Sequence, residues 1–421
     1  MKKLFALGAA AVFALGLASC GKNTVKLVYS GTESDKVFNE GLFEDFKKQM
    51  AAEGDTHTYE ITYVGHGPDV VDSEVIDWDV DKAPDVFEFA SDKIASLYSK
   101  SAISKIYGEN ATFIENEMTD FGKACAKFGD AYYAYPYTGD NTYYLQYDKS
   151  VITDPADAAD MMKLLDAAHA KGYKVGYDLK SGFWGAAAMF TFGADYNIKF
   201  SEDGTIIEVT ADFNSEKGLK AAKAILAIVN HPAFQNTSGV PTPSDKICAV
   251  IGGTWNISTY DKEKDQHGGY KYIWGDNYGC AVMPTVTIDN ETRHLGAFLG
   301  GKLLGVNPQK AKGTSEEKAA HLQAAHKLAK FLAGKECQLK RFQNAAIAPC
   351  HKEAAKDPAV LASPNVAVLA AQAEFAHAQT SVPQGVWDAP SVFVEAMIKG
   401  ECTEANLQKY IDEYNKTVIG K

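Results

Sequence analysis

Arginine is nearly absent: Arg293 and Arg341 are the only two in 421 residues, and every other strong base is lysine. Arginine's planar fork is the usual clamp for phosphate and carboxylate groups, so an anionic ligand is disfavoured. Positive charge is short altogether, with 42 basic residues against 54 acidic ones and a net charge of −12. A nucleic-acid partner, which needs a basic footprint, is excluded on that ground. Cys-x-x-Cys, His-Glu-x-x-His and paired Cys/His spacings are missing, so no metal or cofactor is expected. Gly-x-Ser-x-Gly is missing too. The Ser-x-x-Lys at Ser315 to Lys318 lies in the first turn of a predicted helix, where Ser315 reads as a polar N-terminal residue. No enzyme is expected. A glycosidase would need two carboxylates across the bond, a part that Asp92 and Asp140 could fill. No long low-complexity stretch and no internal repeat interrupts the chain.

What is present begins with a leader. Lys2 and Lys3 form a basic start, Leu4 to Gly16 is apolar, and Leu17-Ala18-Ser19-Cys20 closes the run. This is an export signal over residues 1–19. It is shorter than the roughly 20 residues that span a bilayer of about 30 Å, and polar Gly21-Lys22-Asn23 follows at once. The Leu-Ala-Ser-Cys ending resembles the bacterial lipobox, which implies acylation of Cys20 and a mature chain from Cys20 to Lys421. Stable anchoring needs more than one acyl chain. The expected location is the cell membrane, on its extracellular face or in a periplasm, with residues 20–24 as the tether.

The mature chain exceeds the size at which single cores stop growing, so two lobes are expected. Its six further cysteines are Cys125, Cys248, Cys280, Cys337, Cys350 and Cys402. An even count outside the cell permits disulfides. The wide, irregular spacing leaves free buried thiols equally open.

Strands and helices alternate from the start. Val25 to Tyr29 reads as a strand, Phe38, Leu42, Phe46 and Met50 as one face of a helix, and Tyr59 to Val64 and Pro84 to Phe89 as further strands. Such alternation implies mainly parallel sheets with crossover helices, whose ligands sit at the carboxyl ends of the strands. Asp77, Asp79, Asp81, Asp85 and Glu88 imitate a calcium loop, but Lys82 occupies the position of its obligatory glycine, so a solvated acidic loop is expected. Tyr137 to Asp140 is expected to break the pattern before a strand Tyr143 to Tyr147. A helix from Pro155 through Ala168, an apolar helix Trp184 to Phe192 and a hairpin at Asp203-Gly204 come next. The strand Ile247 to Ile251 ends in Gly252-Gly253-Thr254-Trp255. Gly296 to Val306 has the composition of a strand crossing between lobes. Thr314 to Glu317 is a capping box before a long helix, and the remainder is helical.

Six motifs in this order resemble the solute-binding proteins of sugar ABC transporters, specifically the maltose and maltodextrin binders. They are Pro84 to Lys93, Tyr135 to Asp140, Ile251 to Trp255, Tyr278 to Pro284, Ala355 to Pro358 and Val382 to Trp387. The resemblance implies a type II-like periplasmic-binding-protein fold: two α/β lobes joined by a multi-segment hinge, with sugar in the cleft between them. Lobe 1 would comprise residues 25–138 and 298–355, and lobe 2 residues 139–297 and 356–421, with crossings near 138–140, 297 and 355. Asp92 and Lys93 match the pair that grips sugar hydroxyls, with Phe89 as an aromatic just ahead. Asp140 matches a carboxylate at the first crossing. Trp255 and Trp387 match two platforms, Trp184 a third with a one-residue shift to Phe183 open, and Asp35, with Lys36, an acid-lysine pair after the first strand. The implied partners are a carbohydrate and ABC permease subunits, bound by a monomer. Another oligosaccharide, a polyol or a peptide is the alternative ligand. The residue types suit a sugar, whose apolar C–H face needs aromatic platforms and whose hydroxyl rim needs carboxylates, amides and lysine.

Overall fold

The computed structural model describes residues 24–67, 83–239, 245–257 and 277–421. Cys20 and the acidic run Asp77 to Asp81 lie outside the described residues. Among the described residues, no helix is long and apolar enough to cross a membrane.

Three parallel strands open the chain: β1 (Thr24–Gly31), flanked by β2 (Thr58–Gly65) and β3 (Val86–Ala90). The helix Lys36–Ala52 makes the crossover and buries Leu42, Phe43, Phe46 and Met50, the apolar spacing that its sequence shows. A ribbon, β4 (Lys127–Phe128) and β5 (Ala131–Tyr132), precedes the long β6 (Tyr135–Asp148). Next come β7 (Lys174–Gly176), the hairpin β8 (Tyr196–Phe200) with β9 (Ile206–Ala211), β10 (Phe234–Gln235) and β11 (Ile247–Gly253). After β12 (Tyr278–Ala281) and the hairpin β13 (Thr285–Ile288) with β14 (Glu291–His294), the long β15 (Phe298–Val306) runs back, and β16 (His377–Ala378) pairs with its start.

Apart from the two-stranded pairs β4–β5, β8–β9 and β13–β14, these strands form one mixed sheet in the order β10-β7-β11-β6-β15-β3-β1-β2, with β12 also on β6. The ends are parallel, as crossover helices require. The middle is antiparallel because β6 and β15 traverse the molecule in opposite directions and pair with each other. Two cores lie on either side of this pairing. One gathers apolar residues from 27–137 and 303–337, the other from 143–298 and 382–418. A small cluster of Tyr144, Ile257, Ala348 and Leu369 covers the region between.

Two expectations change. Tyr137 to Asp140 does not break the strand: β6 runs on through it, because β15 supplies partners across the irregular register between Gly300 and Leu303. The helix starting at Pro155 is two pieces, Pro155–Ala158 and Met161–Ala170. Asp160 caps the second by accepting from the amides of Met162 and Lys163, which ends the first. The capping box at Thr314 and Glu317 forms as read, with both reciprocal bonds present.

The helix Ser315–Leu332 buries a histidine. His326 Nδ1 lies 2.9 Å from the Tyr135 hydroxyl, and burial pushes its pKa down to about 4. A histidine depressed in the folded state binds its proton more readily when unfolded, so stability falls as pH drops from about 6.5 to about 4. The shift corresponds to about 3 kcal/mol. His326→Gln is expected to flatten the stability–pH curve in that window by this order, measured by urea denaturation at pH 7 and pH 4.5. An unchanged slope would refute the assignment.

Candidate functional site

The carboxyl ends of β1, β3 and β11 converge with β6 and β15 on a cleft of about 730 Å³, within the usual range for ligand sites. It is lined from the β1 side by Thr32, Ser34 and Asp35, and from the turn after β3 by Asp92 and Lys93. Asn141 and Lys302 come from β6 and β15, with Gln379 beside them; Phe183, Trp184, Trp255 and Trp387 form the opposite side.

The aromatic wall depends on glycines. A Cβ on Gly253 would stand 2.2 Å from the Trp255 ring, so the indole folds over bare backbone. It remains 40% exposed, with a face open to the cleft. A Cβ on Gly182 would stand 2.3 Å from the Trp387 carbonyl oxygen. Its absence lets the helices Gly182–Ala188 and Gln384–Ile398 close up and bring Phe183, Trp184 and Trp387 together. Phe183 is the centre of the group, with ring centroids 5.0 Å from Trp184, 6.0 Å from Trp255 and 6.5 Å from Trp387. Tyr143 on β6 steadies it: its hydroxyl donates to the Phe183 carbonyl at 2.9 Å and its ring stacks on Trp184 at 5.8 Å.

The facing rim is polar. Gln379 donates to Asp92 Oδ1 at 2.8 Å and accepts from Asn141 Nδ2 at 2.7 Å, joining the β3 turn to β6. Ser91 Oγ donates to the Gln379 carbonyl at 2.7 Å. Lys93 Nζ lies 3.8 Å from Asp92, Lys302 Nζ lies 3.3 Å from Glu88, and Arg341 Nη1 lies 3.9 Å from Asp35. Burial pushes the Lys302 ammonium down, but Glu88, Asp35 and Asp140 more than reverse this, so its pKa ends above the ordinary lysine value. Lys93, Lys302 and Arg341 are thus each paired with a carboxylate, Asp92, Glu88 and Asp35 in turn. Gln379→Met removes one donor from Asp92 and one acceptor from Asn141, both buried. It is expected to lower stability by about 2 kcal/mol, measured by urea denaturation; full stability would show the relay to be dispensable.

The structure therefore brings Asp35, Asp92, Lys93, Trp184, Trp255 and Trp387 to one cleft, and both Trp184 and Phe183 reach it. It does not bring Phe89 or Asp140. Phe89 is fully buried in the first core beside Phe87, opposite Leu303; it lies mid-sheet, on the face turned from the cleft. Asp140 is buried within β6. Its Oδ2 accepts from the Ala348 amide at 3.0 Å, and its carbonyl accepts from Thr254 Oγ1 at 2.7 Å, so it ties β6 to the returning segment and to the end of β11. Burial raises its pKa to about 6. The next residue, Asn141, lines the cleft instead. Lys302, Asn141 and Gln379 were not picked out in the sequence. A signal existed for Lys302, a lone charge inside the apolar, glycine-rich stretch Gly296 to Val306; none existed for Gln379.

A second hollow of about 710 Å³ lies on the outer face of the first core. Lys330 Nζ lies 5.3 Å from the Phe113 ring and Lys105 Nζ 5.1 Å from the Tyr107 ring there.

A cleft between two α/β lobes, walled by aromatic rings and rimmed by hydrogen-bonding side chains, defines a two-lobe binding protein. The chain belongs to the family of bacterial extracellular solute-binding proteins, which matches residues 42–368. It is similar to a solved structure in complex with acarbose, at 26% identity over 94% of this chain and 98% of that one, with a TM-score of 0.77. It is also similar in fold to the ligand-free maltodextrin binding protein MalE1 from L. casei BL23, at 20% identity over 94% and 99% of the two chains and a TM-score of 0.75. The maltose-maltodextrin binding protein of Alicyclobacillus acidocaldarius gives 17% identity over 94% and 99%, with a TM-score of 0.68. No curated protein matched the chain.

Proposed function

We propose that this chain is the lipid-anchored substrate-binding protein of a carbohydrate ABC importer. It takes a maltose- or maltodextrin-type oligosaccharide in the cleft, closes about the β6–β15 hinge, and delivers the sugar to the permease. The observation that carries this reading is the pairing of four aromatic rings with a rim of carboxylates, amides and lysines across one cleft. Rings accept the C–H faces of pyranoses, and the rim exchanges hydrogen bonds with their hydroxyls. The relatives that bind acarbose, maltose and maltodextrins support the same class.

Hinge closure follows if sugar touches both sides of the cleft in the closed form alone, since a ligand shifts a two-state equilibrium by its differential affinity. The crossings expected near residues 138–140, 297 and 355 would provide the path. Cys20 acylation would hold the protein beside its permease. Cys20→Ala is the check on that arm: the protein should stay uncleaved or appear in the medium, and normal membrane processing would sink it.

The test of ligand class is a thermal-shift screen of the purified mature chain with maltose, maltotriose and maltotetraose, against polyols and a peptide mixture. At one hundred times its dissociation constant a ligand adds about 2.7 kcal/mol of stability. A shift with the maltodextrins alone supports the reading, and a shift with polyols or peptides alone overturns it.

A further inference from the structure

Two cysteines meet where the chain passes between the lobes. Cys125 ends the helix Asp120–Cys125 and is buried. Its Sγ lies 3.6 Å from where a Cβ on Gly301 of β15 would stand. Cys350, in the returning segment, is also buried. Its Cβ lies 3.5 Å from the corresponding position on Gly139 of β6 and 3.1 Å from that on Gly122, one helical turn before Cys125. β6 and β15 are hydrogen-bonded neighbours, with Asn141 opposite Gly300 and Thr138 opposite Lys302. Gly139 and Gly301 therefore stand side by side, and the two thiols fill the space above them.

The arrangement is held in place. The Cys350 carbonyl accepts from the Thr119 amide at 2.8 Å, and the Cys350 amide donates to Gln338 Oε1 at 2.8 Å. Residues three apart on a helix are neighbours about 5–6 Å apart at Cβ, so the Cys350 Cβ, seated over Gly122, lies beside Cys125; a disulfide needs its Cβ atoms about 3.5–4.5 Å apart, a small approach of the two segments. Cys248, Cys280, Cys337 and Cys402 sit on other elements, and all six described cysteines are thiols in this structure.

We propose that Cys125 and Cys350 form a modification site, a thiol pair that is oxidised to a disulfide fastening the returning passage of the hinge to the first lobe. The oxidant is a low-molecular-weight disulfide. One cysteine thiolate attacks it, expelling one thiolate and leaving a mixed disulfide; the second cysteine thiolate then displaces the other half. One S–S bond forms in the protein and one breaks in the donor. The two cysteine protons and two electrons end on the two thiols released. Burial holds the Cys125 thiol up at about 11 and Cys350 higher still, so the folded pair is slow to exchange. The bond therefore forms during folding outside the cell, a compartment that permits it. The sequence between the two cysteines is long, so the cross-link restricts the unfolded chain strongly.

The experiment refolds the mature chain from its reduced, denatured state in a mixture of oxidised and reduced glutathione, and in parallel in dithiothreitol. Expected are a Cys125–Cys350 cross-linked peptide in a non-reducing digest, lighter by two hydrogen atoms, and a higher Tm that dithiothreitol reverses. Cys125→Ser and Cys350→Ser should each abolish the difference. Complete alkylation of both thiols after oxidative refolding, a cross-link between another pair, or a Tm difference that survives in both variants overturns the proposal. Should either serine variant fail to fold, alkylation mapping of the unaltered chain decides.

Discussion

Trp255→Ala and Trp387→Ala are each expected to weaken maltodextrin binding at least tenfold, a loss of about 1.4 kcal/mol or more. The two tryptophans differ in what else they do. Trp255 is 40% exposed and lies over the backbone of Gly253, so its removal leaves little behind in the core. Trp387 packs on Phe298 at 5.0 Å and on Phe183 at 6.5 Å, so truncation there opens a cavity as well as removing a platform. Loss of an aromatic side chain from a packed site costs up to about 3–5 kcal/mol. Trp387→Phe keeps most of that packing and separates the two effects. Isothermal titration with maltotriose, paired with urea denaturation of each variant, is the measurement. Undiminished affinity in both alanine variants would end the platform assignment.

Asp140→Asn is expected to stabilise the protein by up to about 3 kcal/mol at pH 8. Burial raises the Asp140 pKa from 3.8 to about 6 although Ala348 and Lys302 act the other way, so the charged form is the disfavoured one. The sign follows from linkage. Between pH 3.8 and pH 6 the folded state binds the proton and the unfolded state does not, so stability rises as pH falls through that window. Above pH 6 the cost of the buried charge is fully present. An asparagine keeps an acceptor for the Ala348 amide without the charge, so the variant should gain at pH 8 and gain nothing below pH 4. Urea denaturation at both values tests this. A difference independent of pH would mean that the Asp140 carboxylate is not held out of water. His326 acts in the opposite direction over much of the same range, so the unaltered protein shows a flatter acid profile than either group alone would produce.

The local elements were legible because each is fixed by neighbours in sequence. The face of helix Lys36–Ala52, the capping box at Thr314 and the hairpin at Asp203-Gly204 rest on contacts a few residues apart. The charge balance, too, is a property of composition, and it already disfavoured an anionic ligand. Phe89 failed for an equally physical reason: in a strand buried on both faces, sequence position does not tell which face looks at the core.

What the sequence by itself determined was the alternation of strand and helix and the stock of tryptophans, carboxylates and lysines. The tertiary structure alone decided which of them meet. Asp92, Asn141 and Gln379 are joined across separations of 238 and 287 residues, and Asp140 is turned toward Ala348 while its neighbour faces the cleft. Such meetings depend on the long pairing of β6 with β15, whose register is set by packing on both sides. No local preference encodes that register, and so no stretch of the chain read alone contains the site.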